Sequence, residues 1–203
     1  MTIWFTADHH FNHANIIKYC NRPFSSVEEM NEELIKRWNK KIGAMDKVFY
    51  LGDLGFGNME RILLRLFGYK YIIPGSHDKI TSNIKLIDGV EILPPLYELK
   101  KIYDFTSKMT IRLDRPITLC HYAMRTWKES HYNSWHLFAH SHGNLPSWGK
   151  SFDCGVDTNY FYPYSLEEVG EIMDKLPDNF NLVKPVDNSP NYEARQMGIT
   201  SAQ

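Results

Sequence analysis

Five short stretches of this sequence gather side chains able to hold a metal ion or carry a proton. They are Asp8, His9, His10 and His13 in "IWFTADHHFNH", Asp53 in "GD", Ser76, His77 and Asp78 in "PGSHD", His121 in "CHY", and His140 and His142 in "AHSHG". Imidazole is the commonest metal ligand in proteins and titrates near neutral pH, so histidine clustered with aspartate points to metal binding, proton transfer or both. One such cluster alone is weak evidence, because His-rich stretches also arise by chance. In extended backbone, residues two apart leave the same face. Asp8 and His10 are therefore expected to reach one ion, the same argument applies to His140 and His142, and His9 and Ser141 should point elsewhere. Gly52, Gly75 and Gly143 allow close backbone approach or a positive φ beside these groups.

Each stretch follows a run of strand formers. Thr2 to Ala7, Lys47 to Leu51 and Tyr69 to Ile73 read as strands, separated by an amphipathic helix from Ser26 to Ile42 and a shorter one from Met59 to Phe67. Ser26 and Glu29 can form a capping box, with Gly43 as the stop. This alternation predicts parallel neighbours joined by crossover helices. Further strand signals lie at Tyr97 to Ile102, Met109 to Leu113, Ile117 to Cys120, His136 to Ala139 and Phe152 to Val156. A last helix runs from Ser165 to about Leu176, again with a capping box, Ser165 and Glu168. In a sheet with parallel strands the carboxyl ends share one edge, where α/β folds bind ligands, so residues distant in sequence can converge there.

The chain has 203 residues, enough for one domain with a substantial core, read as residues 1–187, followed by a polar tail over 188–203. A formal charge of −1 with interspersed signs leaves a nucleic-acid substrate unadvertised rather than excluded. Three cysteines without CxxC spacing argue against a disulfide framework and a cysteine zinc knuckle, and fit a reducing cytoplasm. No signal-peptide pattern or long apolar run is present, so a soluble protein is expected. Oligomeric state is not legible.

The five motifs, in order, resemble the calcineurin-like metallophosphoesterases, whose signature is D-x-H, G-D, G-N-H-[DE], a lone His and G-H-x-H. The likeness spans Ile3 to about Asp157, and "FNHANIIKYCNRPF", "HYAM" and "HSHG" look most like the small single-domain bacterial and phage members. It implies an α/β fold of two facing mixed β-sheets flanked by helices, a four-layer sandwich. It also implies two divalent cations, manganese first among zinc, iron, nickel and magnesium. One would lie on Asp8, His10, Asp53 and His142, and the other on Asp53, position 76, His121 and His140, with a hydroxide between them attacking phosphorus in line. His77 resembles the residue that faces the phosphate and protonates the leaving oxygen. A closed structural zinc site fits poorly, since such sites favour thiolates.

Two departures stand out. Ser76 replaces the usual Asn, and a shorter neutral hydroxyl should weaken the second site; Ala139 replaces a Gly at the cost of one methyl group. "GDLGFG" lacks the second Asp and the Arg of the G-D-x-x-D-R-G pattern with which the protein-phosphatase branch grips a terminal phosphate, which tilts the expected substrate toward phosphodiesters, nucleotides among them. Arg22, Arg125 and Lys128 are candidate phosphate contacts, and Tyr122, Trp127 and Trp135 candidate stacking platforms, although each is more often a surface charge or a packing aromatic. His13 either lines the pocket or caps the following helix; His9, His131 and His136 read as structural or solvent-facing; Asp153 and Asp157 either support a ligand histidine or cap a turn. The competing function is a binding scaffold that keeps the fold without catalysis, for which Ser76 is the main argument.

Overall fold

A computed structural model of the chain describes residues 1–79, 83–104 and 107–183; the expected tail over 188–203 lies outside them. The first sheet is built from β1 (Ile3–Thr6), β2 (Lys47–Tyr50), β3 (Tyr69–Ile72), β4 (Val90–Ile92) and β9 (Tyr164–Ser165), in the order β4-β3-β2-β1-β9. The first four are parallel, and β9 closes the edge antiparallel to β1. The second sheet runs β5 (Leu96–Asp104), β6 (Met109–Cys120), β7 (Trp135–Phe138) and β8 (Ser151–Asp153), with β5 antiparallel to β6 and the rest parallel. The protein is thus a mixed α/β molecule with two mixed sheets.

Alternation of side chains along the strands sets the layers. Ile3, Phe5, Phe49 and Leu51 join Leu99, Ile117, Leu119, Leu137 and Phe152 in one core cluster, so the first core lies between the sheets. Trp4, Val48, Tyr50 and Ile72 face the other way, onto α1 (Ala14–Tyr19), α2 (Val27–Lys41) and α3 (Met59–Leu63), through Ile16, Met30, Leu34, Trp38 and Ile62. β1 and β2 are therefore buried on both faces, as crossover-covered parallel strands must be. The helix α4 (Leu166–Lys175) buries Val169 and Met173 in the inter-sheet core. The far face of the second sheet, where a fourth layer was expected, is covered by the chain between β6 and β7: Met124 N–H donates to His136 Nε2 at 3.1 Å, and Trp127 lies against the His136 ring.

The capping expectations separate. Ser165 and Glu168 form the full reciprocal box on α4. On α2, Ser26 Oγ accepts from Glu29 N–H, but the Glu29 carboxylate reaches Ser25 N–H instead. Gly43 does not stop α2 by a left-handed turn; Ile42 is extended, and the Asp46 carboxylate takes the Gly43 N–H at 2.9 Å. The chain over Met109 to Cys120, expected as two strands, is one strand with a register shift opposite Leu99 and Lys101. α3 is shorter than expected, ending at Leu63, with Gly68 at φ +82° before β3.

Candidate metal centre

The loops leaving β1, β2 and β3 of the first sheet and β6 and β7 of the second meet where the ends of the two sheets come together. Asp8 N–H donates to Gly52 O at 3.0 Å and His10 N–H to Asp53 O at 3.1 Å, so the first two loops run side by side. The Asp78 carboxylate accepts the N–H groups of Asp53, Leu54 and Gly75, tying the β2 and β3 loops together. Asp78 therefore fixes the loops rather than orienting His77. A Cβ on Gly75 would stand 2.3 Å from Asp53 Oδ1, so only glycine lets the third loop come this close.

The backbone at the site overturns the extended-chain argument while keeping its outcome for the first pair. Asp8, His10, Asp53, His140 and His142 have φ of 57°, 53°, 57°, 69° and 49°, in the left-handed region that Asp and His tolerate better than most residues. Side-chain direction is set by these turns and not by strand alternation. Asp8 and His10 still converge, but His140 and His142 part company. Ligand atoms of Asp8, His10 and His142 lie within 4.8 Å of one another, and those of Asp53, His121 and His140 form a second such group. Asp53 Oδ2 is 3.4 Å from His121 Nε2 and 3.7 Å from His10 Nε2, so one carboxylate oxygen stands between the two groups.

Three buried ligand atoms, Asp8 Oδ1, His10 Nε2 and His121 Nε2, have no hydrogen-bond partner among the described residues. Buried polar atoms are rarely left so, and three orphans facing one small space fit cations that would accept their lone pairs. Burial holds the His10 imidazole down to about 3 against the opposing pull of Asp53, so it is neutral, the form that ligates. Burial lifts Asp8 to about 7 despite His142 and His121, as expected of a carboxylate lacking its counter-charge. His142 is lifted to about 10, because the Asp157 hydrogen bond and nearby carboxylates outweigh the downward effect of burial. For Asp53, burial acts upward, but the His121 contact and the His77 N–H overcome it and keep the group ionised.

Behind the first group stands a brace. His142 Nδ1 lies 2.7 Å from Asp157 Oδ2, and Asp157 is held by Arg22 through Nε at 2.8 Å and Nη2 at 2.7 Å. Arg22 also donates to Asp8 O at 2.7 Å, to His9 O at 2.8 Å and to Met30 Sδ at 3.5 Å. All its donors are engaged and it is buried, so the expectation of Arg22 as a phosphate contact is corrected: it holds the β1 loop and Asp157. Asp157 supports a ligand histidine, whereas Asp153 caps backbone at Gly143 and Gly155. Behind the second group, His121 Nδ1 is fixed at 2.7 Å by Leu51 O.

Ser76 Oγ donates to Asp53 Oδ2 at 3.1 Å, so its hydroxyl is beside the shared carboxylate. His77 gives its N–H to Asp53 Oδ1 at 2.8 Å and leaves its imidazole exposed, with its centroid 5.6 Å from that of His10. His13 makes no side-chain cap to α1; its Nδ1 is 3.5 Å from His10 Nδ1 and its ring lies tilted against Phe56 at a centroid distance of 4.6 Å, so it stands beside the first group. His9 is structural, against Tyr50 OH at 3.1 Å, and His136 is buried on the far face of the second sheet. Lys128 pairs with Glu98, Trp127 is buried and donates to Ser134 O, and Trp135 packs against the inter-sheet core, so these three are not presented to the centre. Arg125 lies over Trp148 at 4.5 Å. Cys20, which carried no motif, sits with His142 and Asp157 in a third group of ligand atoms within 4.8 Å. Neither Cys20 nor the Tyr50 hydroxyl behind His9 had a sequence signal.

No family model matches the chain. It is 34% identical over 178 residues to the uncharacterized protein MJ1445 of Methanocaldococcus jannaschii, covering 85% of this chain and 92% of that protein. It is 33% identical over 81 residues to the Gene 66 protein of Mycobacterium phage L5, covering 37% of this chain and 39% of the phage protein. The crystal structure of a protein of unknown function, AQ665 from Aquifex aeolicus, superimposes with a TM-score of 0.63 at 20% identity, over 84% of this chain and 98% of that one, which shows a shared fold. No helix among the described residues is long and apolar enough to cross a membrane.

Proposed function

The chain belongs to the family of the Methanocaldococcus jannaschii protein MJ1445, and on the geometry of its site we propose that it is a metal-dependent phosphoesterase of the calcineurin-like kind. The observation that carries this is the set of three buried ligand atoms unpartnered among the described residues, His10 Nε2 and His121 Nε2 on either side of the Asp53 carboxylate and Asp8 Oδ1 4.0 Å from the His121 ring. The two-sheet arrangement supports the sandwich of that superfamily, with irregular chain in place of its outermost layer over the second sheet. Asp8, His10 and His142 would hold one cation, and His121 and His140 the other, with Asp53 shared and Ser76 beside it. Such cations supply Lewis acidity toward the phosphoryl group and toward water.

The chain's own residues do the rest. Arg22 and Asp157 keep His142 in the tautomer that turns Nε2 inward, and Leu51 O does the same for His121. His77, exposed at the mouth and anchored through its N–H, is suited to give a proton to the leaving oxygen. Phe56 stands where the monoesterase pattern has its second aspartate and packs against His13 and His77, and Gly57 stands where that pattern has its arginine, so no cation is offered there to a terminal dianion. This supports a phosphodiester substrate.

The test is hydrolysis of bis(p-nitrophenyl) phosphate with added manganese. Turnover abolished by chelation and lowered about 10²- to 10⁴-fold in His77→Ala is the expected result. The second reading, a binding scaffold, rests on Ser76; no turnover with any divalent metal, together with a stable protein complex, would favour it.

A further inference from the structure

Beside the centre, on the far side of the second sheet, lies a cavity of about 260 Å³. Its walls come from the chain two to four residues beyond His121, the chain three to six residues beyond His142, and Phe138 and Ser151 on β7 and β8. Ala123 and Phe138 in this lining are each two residues from a histidine of the centre, His121 and His140, and at no more than about 3.6 Å per residue this edge of the cavity lies within roughly 7 Å of their backbone. Tyr122, the residue before Ala123, packs on the centre, its ring centroid 4.9 Å from that of His121 and 4.8 Å from that of His140. Both loops are pinned: Met124 N–H is held by His136 and Asn144 by Ser141 O, so the cavity is preformed.

Its chemistry is unusual for a surface dimple. The lining is mostly apolar, and of its two serines, Ser147 and Ser151, the Ser151 hydroxyl is occupied with the Trp148 backbone. The one charge is Arg125, over the Trp148 ring at 4.5 Å, and among the described residues it has no hydrogen-bond or ion-pair partner. Trp148 is 44% exposed. A free guanidinium over a solvent-facing indole presents a planar, polarisable wall with a row of unused donors at its edge. That combination suits a planar ring carrying acceptor atoms, whereas an alkyl chain would leave the donors unmet. The volume is below the ~300–1,000 Å³ of pockets that enclose drug-sized ligands, so it suits one ring system.

We propose that this cavity, walled by Met124, Phe138, Leu145, Pro146 and Trp148 and rimmed by Arg125, takes the nucleobase of a nucleotide ester whose phosphate lies at the Asp53 centre. The proposal rests on the phosphoesterase reading for the phosphate's position, but the base site is testable by itself. AMP and ribose 5-phosphate differ only by the base, and their affinities for the full chain, with and without manganese, are measured by calorimetry. AMP binds at least about tenfold more tightly, and Trp148→Ala and Arg125→Ala each reduce that advantage, Trp148→Ala by about tenfold, as expected when a stacking partner is removed. Both side chains are solvent-facing, and circular dichroism checks that each variant folds. Equal affinity for the two ligands, or an advantage untouched in both variants, overturns the proposal. So does a concentration-dependent dimer that Trp148→Ala dissolves while AMP shows no advantage, which would give the surface to a second copy of the chain. An intact AMP advantage in a wild-type chain that hydrolyses no phosphate ester would instead remove the phosphoesterase reading and leave the base site standing.

Discussion

The two ligand groups are built to different standards. Asp8 and His10 are buried, and their partner His142 is fixed through Asp157 by an arginine with no free donor. In the other group His140 is exposed, its imidazole has no hydrogen-bond partner among the described residues, and Ser76, whose hydroxyl meets Asp53, is an exposed residue as well. A ligand held in one rotamer by a charged brace loses little freedom on binding, while an unbraced one must be ordered first. The difference teaches that the first group should bind its cation tightly and the second should exchange it.

The largest effect should come from the residue common to both. Asp53→Ala is expected to remove both cations and at least about 10³-fold of any turnover, as metal counting and phosphodiester assays would reveal. Asp157→Asn should act on one side only: about 10- to 100-fold weaker binding of the tight cation, with the exchangeable one unchanged in a two-site manganese titration. Equal weakening of both would break the comparison. Ser76→Asn should narrow the gap from the other direction, raising occupancy of the exchangeable cation by a few-fold, with turnover rising alongside; unchanged occupancy would mean that position 76 is not near that ion. The smallest effect on the centre, none, is expected from His136→Gln, which bears on stability instead. Burial holds His136 at about 4, below its ordinary 6.5, so its contribution is fully present above pH 6.5 and lost as pH falls toward 4. Denaturant titrations should find about 2 kcal/mol less pH-dependent loss between pH 7 and pH 5 in the variant.

What the sequence made legible follows from how local each signal is. β1 and β2 announce themselves because both faces are buried, and β3, buried on one face and half-buried on the other, because it carries two tyrosines and an isoleucine. β4 and β9 have three and two residues and exist because a neighbouring strand presents an edge; nothing in their own sequence requires them. β6 reads as two strands because Asp114, Arg115 and Pro116 interrupt it, yet the chain carries on through a register shift. The meeting of the five motifs was readable, since each sits at a strand end. The directions of their side chains were not, because left-handed turns replace extended backbone at the ligands. Arg22 misled for a different reason: its carboxylate partner is 135 residues away, so a buried brace looks like a free surface cation.

Those left-handed turns also limit how the pocket can change by mutation. At Asp8, His10, Asp53, His140 and His142 a β-branched replacement would meet a steric penalty of roughly 1–3 kcal/mol before any chemistry is considered, whereas Asn and Gly would meet little. A randomised library at these five codons, selected only for solubility and never for turnover, should therefore return short polar residues and glycine. Neutral drift would keep the cleft hydrophilic long after any catalytic demand had lapsed.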